Sequence, residues 1–332
     1  MTHITLAHGN GGQYMRQLIE EIFAVHLANP VLDANADAVR LPDTDGELLM
    51  SVDGFTVQPL EFPGGNIGSL AVHGTVNDLA VSGAIPRYMS LSAIIEEGLE
   101  LSTLERCIKS MAEAAREAGV KIVCGDTKVV PRGEGSGLYF TTTGIGVRYR
   151  QLALGLRQIK KDDCLLVSGS VGDHGTAIML AREQFGLRGD IQSDADSVLP
   201  LCRALYDIPG LRFMRDPTRG GLATVLHEIS RATGLGIRVQ ESKIPLKDPV
   251  VSVCDMLGYD PMFLACEGRV VAVVDNADAE KALRVWRELP LGKDAQIIGH
   301  VVDDVSRVVL ETQIGGERVL QELEDDPLPR IC

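Results

Sequence analysis

The stretch Pro63-Gly64-Gly65-Asn66-Ile67-Gly68-Ser69-Leu70-Ala71-Val72-His73-Gly74-Thr75-Val76-Asn77-Asp78-Leu79-Ala80-Val81-Ser82 reads as a helix from about Ile67 to Ser82, opened by a proline–glycine turn. Leu70, Ala71, Val72, Val76, Leu79, Ala80 and Val81 cover most of its surface, so the spacing predicts burial nearly all round. Against that background His73, Gly74, Asn77 and Asp78 fall at i, i+1, i+4 and i+5 and make one polar stripe. A buried Asp or Asn needs a partner. That partner is either an internal hydrogen-bond network pinning the helix or a ligand that brings a cation.

Working outward, the flanking elements are mostly strands. Val39–Pro42 and Leu48–Val52 read as strands, the second ending at Asp53-Gly54, where a carboxylate meets a turn. After Pro86, Met89, Leu91, Ala93 and Ile95 alternate in the manner of a half-buried strand. Ser102-Thr103-Leu104-Glu105 reads as a capping box for a helix that stops at Gly119. The apolar run Val120–Cys124 leads into Gly125-Asp126-Thr127-Lys128, a second strand-end carboxylate with a lysine two residues on. Gly133–Gly137 is a loop before the strand Leu138–Val147. Upstream of all these, His8-Gly9-Asn10-Gly11-Gly12 precedes a helical pattern from about Tyr14 to Leu27. Its glycines let backbone approach a ligand, although such loops are often plain turns. Strands with a few helices packed on them make an α+β pattern.

The polar passage Leu154–Asp163 is the expected domain boundary, giving a first domain 1–153, a second 154–316 and a tail 317–332. The second half restarts with strand Cys164–Ser168 and the glycine-rich Gly169–Gly175. Asp216-Pro217-Thr218-Arg219-Gly220-Gly221 then runs into a helix ending near Gly234. Glycines, a hydroxyl and a guanidinium at a helix start suit phosphate, and the same residues also make a good turn and cap. Strands Ile237–Gln240, Arg269–Asp275, Gln296–Val302 and Arg307–Thr312 alternate with helices Pro249–Leu257 and Asp278–Leu289. Just before one strand, Cys266-Glu267-Gly268 places a carboxylate in a turn.

Composition narrows the function. The chain has 332 residues and a net charge of −14, which argues against a general nucleic-acid or anionic-membrane binder. No apolar run approaches the ~20 residues of a membrane helix. Met1-Thr2-His3 leads straight into a strand-like segment, so no secretory leader is expected. Seven cysteines without a C-x-x-C pair exclude a ribbon zinc site and fit a reducing cytoplasm. Six of them sit among apolar neighbours in predicted core elements. The seventh, Cys332, ends Asp326-Pro327-Leu328-Pro329-Arg330-Ile331-Cys332. Its two prolines forbid a helix closing there, so the segment reads as a stiff arm with a thiol at its tip, or as a plain frayed end.

Asp53, Asp78 and Asp126 come from two strand ends and one buried helix of the same predicted domain. Three converging carboxylates are what a Mg²⁺–nucleotide site needs. No P-loop and no G-x-G-x-x-G after a strand is present, so an ATP site belongs to another architecture. Gly64-Gly65-Asn66-Ile67-Gly68, Gly74-Thr75-Val76-Asn77-Asp78-Leu79-Ala80, Gly125-Asp126-Thr127-Lys128 and Asp216–Gly221 together resemble the aminoimidazole ribonucleotide synthetase (PurM-like) superfamily. That group also holds selenophosphate synthetase and thiamine monophosphate kinase. Within it, the His8–Gly12 start and the Pro329-Arg330-Ile331-Cys332 end are similar to the carbamoyl dehydratases of [NiFe]-hydrogenase maturation.

The resemblance implies a two-domain homodimer whose first domains pair their sheets into a barrel, with ATP and Mg²⁺ between the domains. It makes Asp53, Asp78 and Asp126 the metal carboxylates. Asn77, Thr127, Gly11, Gly12, Asp216, Arg219 and Gly220 would line or close the nucleotide site. It also implies HypF as carbamoyl donor, a HypC–HypD scaffold as cyanide acceptor, and Cys332 as the carrier of the reacting group. An amide oxygen leaves poorly until phosphorylated, and a base must then take the N–H protons. Glu267 is the candidate base and Lys128 the charge on the phosphoryl side. His73 either moves protons or is a satisfied structural histidine. Two rivals remain: a small-molecule ATP-dependent synthetase or kinase of this fold, and a carrier whose nucleotide site is vestigial.

Overall fold

The computed structural model describes residues 2–9, 13–32, 39, 41–42, 44–150, 152–182 and 189–322. Gly11, Gly12 and the proline-bearing end with Cys332 lie outside them. The chain divides into two units. One holds the residues up to Leu79 with Ala84–Arg148, and the other holds Ala80–Gly83 with the described residues from Tyr149 on.

In the first unit, α1 (Gln13–Leu18) continues through a π-helical Ile19–Ala24 into α2 (Val25–Leu27). Then follow β1 (Leu48–Phe55), the short pair β2 (Glu61–Phe62) and β3 (Gly65–Asn66), and α3 (Ile67–Val81). β4 (Ala84–Glu96), α4 (Leu101–Ala118), β5 (Lys121–Val130) and β6 (Leu138–Arg148) complete it. The sheet order is β1-β6-β4-β5, with β5 parallel to β4 and the other pairings antiparallel. Helix α3 is buried all round as expected, and two glycines show why. A Cβ on Gly74 would lie 2.8 Å from the Phe55 ring of β1, and one on Gly68 would lie 1.9 Å from the Cys107 carbonyl of α4. Thr75 is hydrogen-bonded to Thr142 of β6. The helix is thus clamped between the sheet and α4.

Several expected boundaries move. Residues 39, 41 and 42 carry no strand. Asp53 and Asp126 are not at strand ends, because β1 and β5 run on past them. Both are edge strands of this sheet, and an edge strand tolerates the exposed polar residues that read as a turn. Ser102 does not cap α4. The helix begins at Leu101 after an extended Glu100, which the N-terminal segment holds through a His3–Glu100 bridge and a bond from Leu101 N–H to the Thr2 carbonyl. Gly119 does end that helix, at φ 71°.

The second unit contains β7 (Cys164–Val167), α5 (Asp173–Ala181), α6 (Leu199–Leu205), β8 (Leu211–Arg215) and α7 (Gly221–Thr233). After them come β9 (Gly236–Gln240), α8 (Asp248–Leu257), β10 (Val271–Val274), α9 (Asn276–Arg287), β11 (Gln296–Val302), β12 (Val308–Glu311) and β13 (Glu317–Val319). The strand order is β13-β12-β9-β11-β7-β10-β8. One face, with Leu165, Val167, Ile237, Val239, Val271 and Leu310, packs on Leu222, Val225, Leu226 and Ile229 of α7. The α+β class holds. The expected tail starts later than residue 317, because Glu317–Val319 pairs with β12 and Leu320 joins the core. Among the described residues no helix is long and apolar enough to cross a membrane.

The Gly68 contact gives a direct test. Gly68→Ala sets a methyl against backbone that cannot swing away, and should destabilise the protein by about 3 kcal/mol. A fall in the urea midpoint at unchanged slope would report it.

Candidate functional site

Two carboxylates lie at the seam between β1 and α3. Asp53 Oδ2 lies 3.4 Å from the place a Cβ on Gly74 would occupy, and the Ser51 hydroxyl donates to Asp78 Oδ2 at 2.5 Å. Ser51 and Asp53 are alternate residues of one strand face, and Gly74 and Asp78 are one turn apart on α3. The glycine is what lets β1 approach the helix with an acid between them. Asn77 and His73 are buried on the same helix.

Within one protomer Asp126 lies away from this pair, so the three carboxylates expected together divide into two on one face and one on the other. Across the sheet, Asp53 pairs with Thr142, Thr142 with Leu91, and Leu91 with Gly125. Asp126 is therefore three strand spacings from Asp53, about 14 Å, and on the opposite face with Ser92 and Thr141. No single ion spans that. Among the described residues no group of three or more His, Cys, Asp or Glu is placed to hold a metal. Asp126 instead binds Lys128, at 2.8 Å. That hydrogen bond holds its carboxyl below the usual carboxylate range. Thr127, between them, turns into the core. The start of the His8–Gly12 loop lies against this strand, since a Cβ on Gly9 would touch Val129 at 2.8 Å. Cys124 shares the Asp126 face and is exposed. The expectation that all six internal cysteines are buried therefore fails at this edge strand.

In the second unit, separate sequence motifs converge on the stretch Leu264–Gly268. Cys266 N–H donates to the Pro217 carbonyl at 3.0 Å and Gly175 N–H to the Ala265 carbonyl at 3.1 Å. The Cys266 sulfur accepts from Gly172 N–H at 3.1 Å. Asp216-Pro217-Thr218-Arg219-Gly220-Gly221, the loop before α5 and the Glu267 turn are thus one assembly. Asp216 is buried and Arg219 exposed. Gly220 at φ 69° begins α7, and a Cβ on Gly221 would meet the Leu264 and Met262 carbonyls at 2.5 Å. Glu267 is 3% exposed.

A charged network supports that turn. Arg269 contacts Asp173 Oδ2 at 3.4 Å and Asp194 Oδ2 at 3.5 Å, and Lys247 reaches Asp173 at 2.6 Å. Ser170 donates to Asp173 Oδ1 at 2.8 Å. Burial, and then the neighbouring Asp194, pushes the Asp173 carboxyl up. Burial works against the charge of Arg269, but Asp194 and Asp173 outweigh it. The sequence reading passed over Asp194, Arg269 and Lys247. The available signal was Arg269 itself, a lone charge heading the apolar run Val270–Val274, where a buried guanidinium must have acidic partners.

The comparisons agree with this architecture. Residues 33–148 match the AIR synthase related protein, N-terminal domain, and residues 160–311 its C-terminal domain. Carbamoyl dehydratase HypE of Escherichia coli (strain K12) is 46% identical over 337 residues, covering 100% of both chains. A crystal structure of hydrogenase maturation protein HypE in complex with ATP superposes with a TM-score of 0.93 at 44% identity, covering 98% of this chain and 99% of that one. The HypE chain of a HypE–HypF complex gives 0.81 at 45% identity, covering 92% and 99%.

The network makes a stability prediction. Lys247→Met removes a cation from the wholly buried Asp173, where Asp194 also bears on it and only Arg269 remains as counter-charge. The cost should be about 2 kcal/mol near pH 8. Because the Asp173 carboxyl is raised in the folded state, it takes up a proton as pH falls and the lost ammonium ceases to matter. The deficit should therefore shrink as the pH is lowered, read from urea unfolding across a descending pH series.

Proposed function

This chain belongs to the HypE family of carbamoyl dehydratases, and from that premise we propose that it dehydrates a carbamoyl group held on the sulfur of its own Cys332, using ATP. The observation that carries this reading is the end-to-end match to a named carbamoyl dehydratase, 46% identical over both whole chains. The thiocarbamate –S–C(=O)–NH₂ becomes the thiocyanate –S–C≡N, and its oxygen leaves on the phosphoryl group that ATP donates. The thiocyanate then supplies cyanide for the [NiFe]-hydrogenase iron.

The residues present fit Mg²⁺ in part. Asp53 and Asp78 project together from β1 and α3 and would hold the ion, which when bound shields charge on the ATP phosphates. Asn77, Thr127, Gly11, Gly12, Asp216, Arg219 and Gly220 would contact the nucleotide. Lys128 would offset charge on the transferring phosphoryl group. Glu267 would take the amide protons as the phosphorylated oxygen departs, a role for which its burial beside a dry turn is suited. His73, buried on α3, would assist proton movement or serve only the helix. Cys332 would hold the reacting carbon covalently, which substitutes positioning for a diffusive encounter.

A homodimer accounts for the layout of the first unit. Leu48, Met50 and Val52 are 57%, 69% and 57% exposed along one face of edge strand β1, where apolar residues call for a partner surface. A second copy of the same sheet would cover them. Paired edge to edge, β1 of one protomer would lie beside β5 of the other. The Asp53/Asp78 edge of one protomer would then border the Asp126–Thr127–Lys128 edge of the other, with Thr127 on the same face as Asp53. HypF, seen in complex with a protein 45% identical to this one, is the expected carbamoyl donor, and a HypC–HypD scaffold the acceptor.

Intact-mass analysis tests the reading. With HypF and a carbamoyl donor the protein should gain one carbamoyl group on Cys332, and Mg-ATP should then remove one water from it. Cys332→Ala should lose both changes and still bind ATP, whereas Cys124→Ser should keep both. Asp78→Asn should retain the fold and lose roughly 100-fold or more of the ATP turnover. A carbamoyl group on Cys124, or thiocyanate from Cys332→Ala, would overturn self-modification in favour of a small-molecule substrate.

A further inference from the structure

The peptide groups on either side of the Glu267 Cα are held by one carboxylate. Glu267 N–H donates to Asp194 Oδ1 at 3.2 Å and Gly268 N–H to Asp194 Oδ2 at 3.4 Å. Holding both peptide planes restricts the φ and ψ of Glu267, and with them the direction of its Cα–Cβ bond. The approach is close enough to exclude a side chain from the next residue, since a Cβ on Gly268 would lie 1.8 Å from the Asp194 carbonyl oxygen.

Asp194 is itself held from behind. The Arg269 Nε lies 3.5 Å from its Oδ2, and the same guanidinium donates to the carbonyls of Ser170 at 2.8 Å and Gly268 at 3.3 Å. On the other flank, Ser193 Oγ is 2.7 Å from His174 Nδ1 on α5 and accepts from Ala195 N–H at 3.0 Å. The carboxylate is therefore backed by a guanidinium, and the segment that carries it is tied to α5 through the Ser193 hydroxyl. A network serving stability alone would be satisfied by any acceptor for two N–H groups. This one spends a buried charge on the two peptides that aim a single glutamate.

We propose that Asp194 is a positioning residue for the dehydration step, locking the Glu267 turn so that its carboxylate meets the amide N–H at the reacting carbon. This rests on the reading of Glu267 as the base. The charged and titratable groups facing the turn are Asp173 and His174 of α5, Lys247 before α8, Cys266, Arg269 and Asp194. Asp194→Asn keeps one acceptor and loses the charge, so one peptide plane is released. A displacement of the base by about 1 Å costs up to ~100-fold.

The test measures thiocyanate formation from carbamoylated protein at saturating Mg-ATP. Asp194→Asn should lower kcat for dehydration roughly 10- to 100-fold and leave the KM for ATP unchanged. Loss of a negative charge beside the base should also move the acid limb of the pH–rate profile to lower pH. The decisive comparison is a double-mutant cycle. In a Glu267→Gln background Asp194→Asn should have no further effect, because its whole contribution passes through Glu267. A wild-type rate for Asp194→Asn, or full additivity with Glu267→Gln, would overturn the positioning role while leaving Glu267 as base. A wild-type rate for Glu267→Gln would instead remove the base assignment. If Asp194→Asn does not fold, Arg269→Lys, which keeps the charge and loses the Nε contact, should give the same loss in kcat alone, and an unchanged kcat there would refute the proposal.

Discussion

Two carboxylates removed from water around one guanidinium set the terms for the second unit. Asp173 and Asp194 are tolerable only because Arg269 lies between them and Lys247 reaches in from the surface. Replacing such a set by apolar side chains of the same volume commonly leaves a protein as stable or more so. Its value here is geometric. It ties α5, the segment carrying Asp194, the connection ahead of α8 and the head of β10 to one short stretch, Leu264–Gly268. The glycine-rich loop before α7 attaches to that stretch through the Pro217 carbonyl. Elements far apart in sequence thus share one rigid point, and the glutamate emerges from it.

The first unit is governed by the two faces of a four-stranded sheet. One face meets α3, where glycines at 68 and 74 allow backbone and ring to come within reach of the helix axis. The other carries Leu48, Met50 and Val52 on one edge and Cys124, Asp126 and Lys128 on the opposite edge. Alternation along each strand therefore separates residues that look adjacent in a list of motifs. A carboxylate from β1 and one from β5 belong to different faces and different edges of the same sheet.

This separation explains which parts of the molecule were legible in the sequence. Helix α3 was, because an apolar residue at nearly every position leaves burial as the only outcome. Strands β6 and β11 were, the first as the run that follows the Gly133–Gly137 loop and the second over the same residues that the structure shows, Gln296–Val302. The ends of β1 and β5 were not. Exposed polar residues on an edge strand and polar residues in a turn have the same composition, and only the pairing partner tells them apart. The Ser102 capping signal failed for a related reason: a non-local contact from the first residues of the chain fixed the start of α4 elsewhere. Asp53 and Asp78 do lie on the facing surfaces of β1 and α3. The addition of Asp126 required a sheet order that no local pattern encodes. Asp194 was invisible because its partners lie 73 and more residues away.

The distribution of thiols has a meaning beyond packing. Burial pushes the Cys107 thiol up to about 12 and the Cys254 thiol to about 11, and raises those of Cys164, Cys202 and Cys266. Sulfur in those places is almost wholly protonated and so a poor nucleophile. For a protein that carries an electrophilic carbon on one sulfur, this amounts to insulation, since the group has few internal sulfurs to which it can migrate. The exposed Cys124 is the gap in that insulation. It lies on the sheet face that also carries the exposed Leu48, Met50 and Val52, so under the dimer proposed above the apolar contact that joins two protomers would also close this gap.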